Sequence, residues 1–221
     1  MHRISSFVGA AALGVLGLAQ TATAQTYEVI VTNITPGQTF TPILGANHKA
    51  TTRFFRFGDP ARPELAILAE AGDVAPLQSL LASVPDRVFS TATTEGLLGP
   101  GETVSFTIET SGDFPRLSLA AMLIPTNDTF VAMDAARLPD NAETFFLRAY
   151  DAGSEDNDEV CDNIPGPACG GEGSSEADGE GYVHVSGGVH GIADLDPAEY
   201  DWRNPVARVR VRLLDEAPGE Q

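Results

Sequence analysis

Basic side chains are scarce in this 221-residue chain, where 13 Lys and Arg stand against 31 Asp and Glu. So acidic a surface repels nucleic acid and anionic lipid, and no basic stripe in the sequence is long enough to offset it, so nucleic acid is excluded as a partner. Cysteine is nearly absent as well. Cys161 and Cys169 are the only two, and a zinc reading of them needs two more soft ligands nearby, which the sequence does not offer. Long apolar runs are missing too: a membrane-crossing helix takes ~20 residues, and the run from Phe7 to Leu18 falls short, so the chain is read as not membrane-spanning.

That short run follows His2 and Arg3 and ends at Ala22-Thr23-Ala24, just before Gln25. A basic start, an apolar middle and a small-x-small exit are the parts of a secretory signal peptide. Residues 1–24 are therefore expected to be a leader, and 25–221 one mature domain that is secreted, periplasmic or held at the cell surface. The leader holds one Arg and no acid, so its removal moves the formal charge from −18 to −19, a balance that favours cations or basic partners. In an oxidising compartment, two cysteines eight positions apart with the turn-prone Asn163-Ile164-Pro165-Gly166-Pro167 between them are expected to pair.

Alternation of apolar and polar residues predicts strands over Tyr27 to Thr32, Thr39 to Leu44 and Thr51 to Phe57. Asp59-Pro60-Ala61-Arg62-Pro63 opens a helical stretch with Leu65, Leu68 and Ala69 at helical spacing that stops at Gly72, and a second runs from Val74 to Leu81. Gly99-Pro100-Gly101 turns the chain into a strand in which Val104, Phe106 and Ile108 share a face. Further strands are predicted at Arg116 to Leu123, Thr144 to Tyr150 and Val206 to Leu213. In the last of these Val209, Val211 and Leu213 oppose Arg208, Arg210 and Arg212, an Arg face read as solvated and balancing nearby acids. Short strands between Gly and Pro turns imply a mainly β fold, an antiparallel β-sandwich with short helical insertions. From Glu155 to Gly181 large apolar side chains are nearly absent, so a flexible acidic, Gly-rich surface loop is expected there.

The chemistry concentrates between Met122 and Asp158. Pro125-Thr126-Asn127-Asp128-Thr129-Phe130-Val131-Ala132-Met133-Asp134 and Asp151-Ala152-Gly153-Ser154-Glu155 flank a strand-like run, and a strand ending in an Asp before a carboxylate-rich loop gathers hard oxygens of the kind calcium takes. Together with Phe40-Thr41-Pro42-Ile43-Leu44-Gly45-Ala46-Asn47-His48 and Pro205-Val206-Ala207-Arg208-Val209, these segments resemble, in order, the spondin domain of secreted matrix proteins such as F-spondin and mindin. The resemblance spans roughly Tyr27 to Leu214, with Thr129 in the place of the family's Trp. It implies a calcium ion held by Asp128, Asp151 and, where the family has Asp, Glu155; Asp156 is an alternative to Glu155. It also implies a non-enzymatic, adhesive module at the cell surface or in a matrix, with an extracellular protein or glycan as partner.

Two other functions can be drawn from the residues. His184 and His190, with Ser186 between them and Asp194 and Asp196 after them, could serve an exported hydrolase, although the spacing matches neither His-x-x-x-His nor Gly-x-Ser-x-Gly. Acidic loops at one end of a sandwich could also share calcium with lipid phosphate, but the apolar loop tips such a binder inserts are not evident. Asn33-Ile34-Thr35 and Asn127-Asp128-Thr129 match the glycosylation acceptor pattern; sugar on Asn127 would crowd the metal, so that match is read as accidental.

Overall fold

The computed structural model describes residues 24–174 and 178–214; the expected leader lies outside them, apart from Ala24. Ten strands, all paired antiparallel, form a nearly closed sheet: β1 (Gln25–Asn33), β2 (Thr39–Phe40), β3 (Leu44–His48), β4 (Val88–Thr93), β5 (Thr103–Thr110), β6 (Arg116–Ile124), β7 (Thr129–Arg137), β8 (Ala142–Asp151), β9 (His184–Val185) and β10 (Ala207–Leu214). Three short helices accompany them, α1 (Pro63–Ala71), α2 (Ala75–Ala82) and α3 (Pro197–Tyr200). The mainly β, antiparallel class with helical insertions is thus what the sequence pattern implied.

The strand order is β4-β3-β6-β7-β8-β10-β1-β5. β8 belongs to both halves of this array: Ala142 to Leu147 pair with β10, while Arg148 to Asp151 pair with β7. The halves fold face to face, and their free edges approach where the Ser90 hydroxyl donates to the Glu109 carbonyl at 2.6 Å. Alternation sets the register of β1 on β10: Tyr27, Val29 and Val31 point inward with Val209 and Val211, leaving Arg208, Arg210 and Arg212 outside. On that outer face Arg212 pairs with Glu28 at 2.5 Å and Arg208 donates to the Thr32 hydroxyl, so it balances an acid as expected.

β6 is buried along nearly its whole length because both its faces are covered. Leu117, Leu119, Ala121 and Leu123 enter the core between the halves, whereas Ala120 lies with Phe130 and Ala132 beneath Leu65, Leu68 and Leu77 of the helices. α1 starts at Pro63 and ends on Gly72, whose left-handed backbone (φ 67°) lets its N–H reach the Leu68 carbonyl.

Three local expectations differ from the structure. Thr51 to Phe57 forms no strand, because the Phe54 N–H bonds to the Asp134 carboxylate at 2.8 Å instead of to a ladder, and Phe54 and Phe55 are buried from a coil. β4 and β7 were not anticipated; β7 holds three alanines and an Asp among its nine residues and carries little alternation to read. The segment after Glu155 is anchored by polar groups in place of apolar ones. Glu159 accepts from the N–H groups of His190, Gly191 and Ile192 at 2.5, 2.7 and 2.9 Å, and Ile164 behind it is fully buried. Cys161 and Cys169 are disulfide-bonded and pack on the main core.

Candidate metal centre

Hairpin register builds the site. Thr129, the first residue of β7, lies opposite Asp151, the last of β8, so Asp128 and Asp151 meet where the two strands end, and the Ala152 N–H closes on the Asp128 carbonyl at 3.2 Å. Gly153 then bends the chain with a left-handed backbone (φ 65°). A side chain there would strike the Tyr182 backbone, because 179–184 crosses directly over this turn and the Gly181 N–H bonds the Gly153 carbonyl at 2.8 Å. β9 completes the crossing by placing His184 opposite Asp151.

Asp128 and Asp151 are 0% and 1% exposed, and Glu155 is 2% exposed. Asp128 Oδ2 accepts from the Ser154 N–H (2.8 Å), the Glu155 N–H (3.1 Å) and the Ser154 hydroxyl (3.3 Å), while its buried Oδ1 has no hydrogen-bond donor. Asp151 accepts from the Gly153 N–H at 2.8 Å and from the Asn157 amide at 2.9 Å. Burial, and then the Asp151 charge, push the Asp128 carboxyl up to about 7 despite the two N–H groups that oppose the shift. Burial likewise raises Asp151 against its bonds from Asn157 and Gly153. Among the described residues the only basic side chain within ion-pair distance of either aspartate is His184, whose Nε2 is 3.3 Å from Asp151 and 3.7 Å from Glu180. Burial alone would discharge His184, but the Val185 carbonyl and then Asp151 and Glu180 raise its pKa overall.

The sequence reading therefore has its two aspartates adjacent, with Glu155 bonded through its N–H to Asp128 and buried beside them. It overlooked Glu180 and His184, which together with Asp151 offer ligand atoms all within 4.8 Å of one another. The crossing of 179–184 over Gly153 brings them in, and Gly179 and Gly181 are the only signal of it in the sequence. Asp156 is exposed and so fits the site less well than Glu155. Two adjacent buried aspartates, one with an orphaned oxygen, with His184 as the described counter-charge and Glu155 buried beside them, fit a hard divalent cation.

The histidines do not share a centre. His190 stands 3.9 Å from Glu159, on the far side of the loop nest, and shares a hollow with Ser186 and Asp201. In that hollow the Ser186 hydroxyl is engaged with Thr129 at 3.0 Å and Asp201 accepts from Val189 and Arg203. The Asn127 amide donates to Asp158, and the Asn33 amide to the Gln38 and Leu98 carbonyls; both asparagines are buried, so neither acceptor pattern presents its nitrogen for sugar.

The Spondin_N family model matches residues 23–159. This chain belongs to the Spondin_N family. No curated protein matches it. Membership makes it a spondin-like extracellular module of a generally non-enzymatic family, and no helix among the described residues is long and apolar enough to cross a membrane. The match ends at Glu159, yet β10, beyond it, lies in the sheet between β8 and β1, so the spondin fold of this chain needs residues the match does not cover.

Proposed function

We propose that this chain is an exported spondin module, released from the signal peptide 1–24, that binds calcium through Asp128, Asp151 and Glu155 and serves cell-surface or matrix binding to an extracellular protein or glycan. The carrying observation is Asp128, fully buried, with one oxygen lacking any donor and a second buried carboxylate beside it. Such an arrangement is costly unless a cation offsets it. Bound calcium would supply positive charge and a fixed geometry to the loop end, and the residues' part is to gather oxygens: the Ser154 and Glu155 N–H groups hold one oxygen of Asp128 in place and leave the other to face the ion.

His184 and Glu180 favour a second occupant. A histidine nitrogen within ligand reach of two carboxylates suits zinc better than calcium. Isothermal titration of the mature protein with calcium, magnesium and zinc, on the wild type and on Asp151→Asn, separates these. Calcium uptake that is lost in Asp151→Asn, with weak magnesium binding, is the expected result, because magnesium demands tighter octahedral geometry. Zinc uptake without calcium uptake would assign the site to Asp151, Glu180 and His184, and no uptake at millimolar calcium would overturn the proposal.

A further inference from the structure

The coil between β3 and α1, which is tied to the β9 crossing through the Gly58–Val183 and Val183–Asp59 backbone bonds, carries a concentration of positive charge. Four of the chain's 13 basic residues, Arg53, Arg56, Arg62 and Arg87, converge on a hollow of about 290 Å³, and no carboxylate lines it. In a protein with 31 acids, that exclusion of acid from one concave surface calls for a ligand. Existing pairings leave much of this charge available: Arg53 meets Asp134 at 3.1 Å, Arg87 meets its exposed neighbour Asp86 at 3.9 Å, Arg62 donates to the Arg53 carbonyl, and Arg56 forms no ion pair among the described residues. The Thr52 hydroxyl, buried in the same wall, has no hydrogen-bond partner.

Arg53 and Arg56 also border a second hollow of about 290 Å³, lined by Phe55, Phe57 and Tyr150 together with Asp134, whose charge Arg53 meets. Phe57 is 60% exposed, an unusual position for a ring of this size, and is propped by an edge contact to Phe55 and a tilted contact to Tyr150, with centroids 5.4 and 5.3 Å away. Guanidinium groups bind carboxylate or sulfate through paired N–H donors. The C–H face of a sugar ring packs on an aromatic ring. A ridge of arginines bordering both an anion hollow and an aromatic shelf therefore matches a chain that alternates rings and anions.

We propose that the Arg53–Arg56 ridge binds an acidic polysaccharide, one bearing uronate or sulfate groups, with the anion in the arginine hollow and a ring of the same chain on Phe57. The net negative charge of the protein does not prevent this at physiological salt, where the screening length is about 8 Å and contacts made at hydrogen-bond distance persist. The site neighbours the Asp151 turn through Tyr150 but is lined by none of Asp128, Asp151 and Glu155, and it is not built on the calcium proposal.

The test is binding of polygalacturonate and dextran sulfate to the mature protein, with neutral dextran and inorganic sulfate as controls. Every arm contains chelator, so that a calcium bridge cannot contribute and failure here is distinct from failure of the metal proposal. At least one polyanion should bind and neutral dextran should not; Arg56→Gln and Arg62→Gln should each weaken binding about tenfold, and Phe57→Ala should weaken it several-fold. All three side chains are exposed, and circular dichroism checks that the variants stay folded. Failure of both polyanions to bind would overturn the proposal, as would binding unchanged in the Arg56→Gln/Arg62→Gln double variant. Binding that Phe57→Ala leaves intact and inorganic sulfate abolishes would mark a plain anion site and overturn the glycan assignment.

Discussion

Replacing Asp128 by Asn should stabilise the metal-free protein at neutral and alkaline pH while abolishing its response to calcium. The amide oxygen of Asn can keep the bonds from Ser154 and Glu155, and its NH2 would stand where Oδ1 now lacks a donor, beside the acceptor oxygens of Asp151. The magnitude comes from the Asp128 carboxyl, pushed up to about 7 from 3.8. A raised carboxyl pKa means that the folded state holds its proton more tightly than the unfolded chain, so the associated stability is full at low pH and is lost as pH climbs from near 4 through about 7. At 1.36 kcal/mol per unit the loss approaches ~4 kcal/mol, and relaxation around a buried charge reduces it to about 2 kcal/mol. That is roughly 4–8 °C in midpoint for a domain of this size. Asp151 and His184, both raised, lose stability in the same direction and steepen the trend. Thermal unfolding in chelator at pH 5 and pH 8 reads this directly: the wild type should weaken toward pH 8 and Asp128→Asn should weaken less and exceed it there. Adding calcium at a hundredfold its dissociation constant should return ~2.7 kcal/mol to the wild type alone. A metal-free wild type equally stable at both pH values, or an Asn variant less stable than wild type at pH 8, would refute the reasoning.

Two other perturbations test the region beyond Glu155. Changing Cys161 and Cys169 together to Ser should cost about 2 to 3 kcal/mol, as for a short closed loop, and leave the β spectrum by circular dichroism intact, since the core strands pair without the bridge. Glu159→Gln removes the charge from an oxygen pair that takes three N–H groups, and should cost about 1 to 3 kcal/mol; hydrogen exchange should speed up at Gly191 and Ile192, and unchanged exchange there would remove Glu159 as the anchor.

Period-two patterning made β1, β5 and β10 legible, because each buries one face only and shows it as alternation. β4 and β7 were not: β4 is only partly buried along its length, and β7 is covered on both faces, so neither carries a clean alternating signal. Asp128 and Asp151 were readable as a pair because they end neighbouring strands of one hairpin. Glu180 and His184 were not, because a crossing set by glycine backbones rather than by side-chain pattern places them, about thirty residues from Asp151 along the chain. The anchors of the loop after Glu155 were not legible for a related reason: composition registers missing apolar surface, whereas Glu159 and Asp158 hold it through N–H and amide groups that any residue sequence could offer.

The position of β10 bears on when this protein can take shape during its synthesis. Of the described strands β10 is the last to be made, yet it lies between β8 and β1, with β5 held on through β1. Until Ala207–Leu214 arrive, β1 and β5 have no ladder to β3, β6, β7 and β8 and meet that half only across the open edge, so no earlier fragment can close the array. Closure of the array therefore waits for β10, and pairing the first strand with the last described one makes it a slow, long-range event.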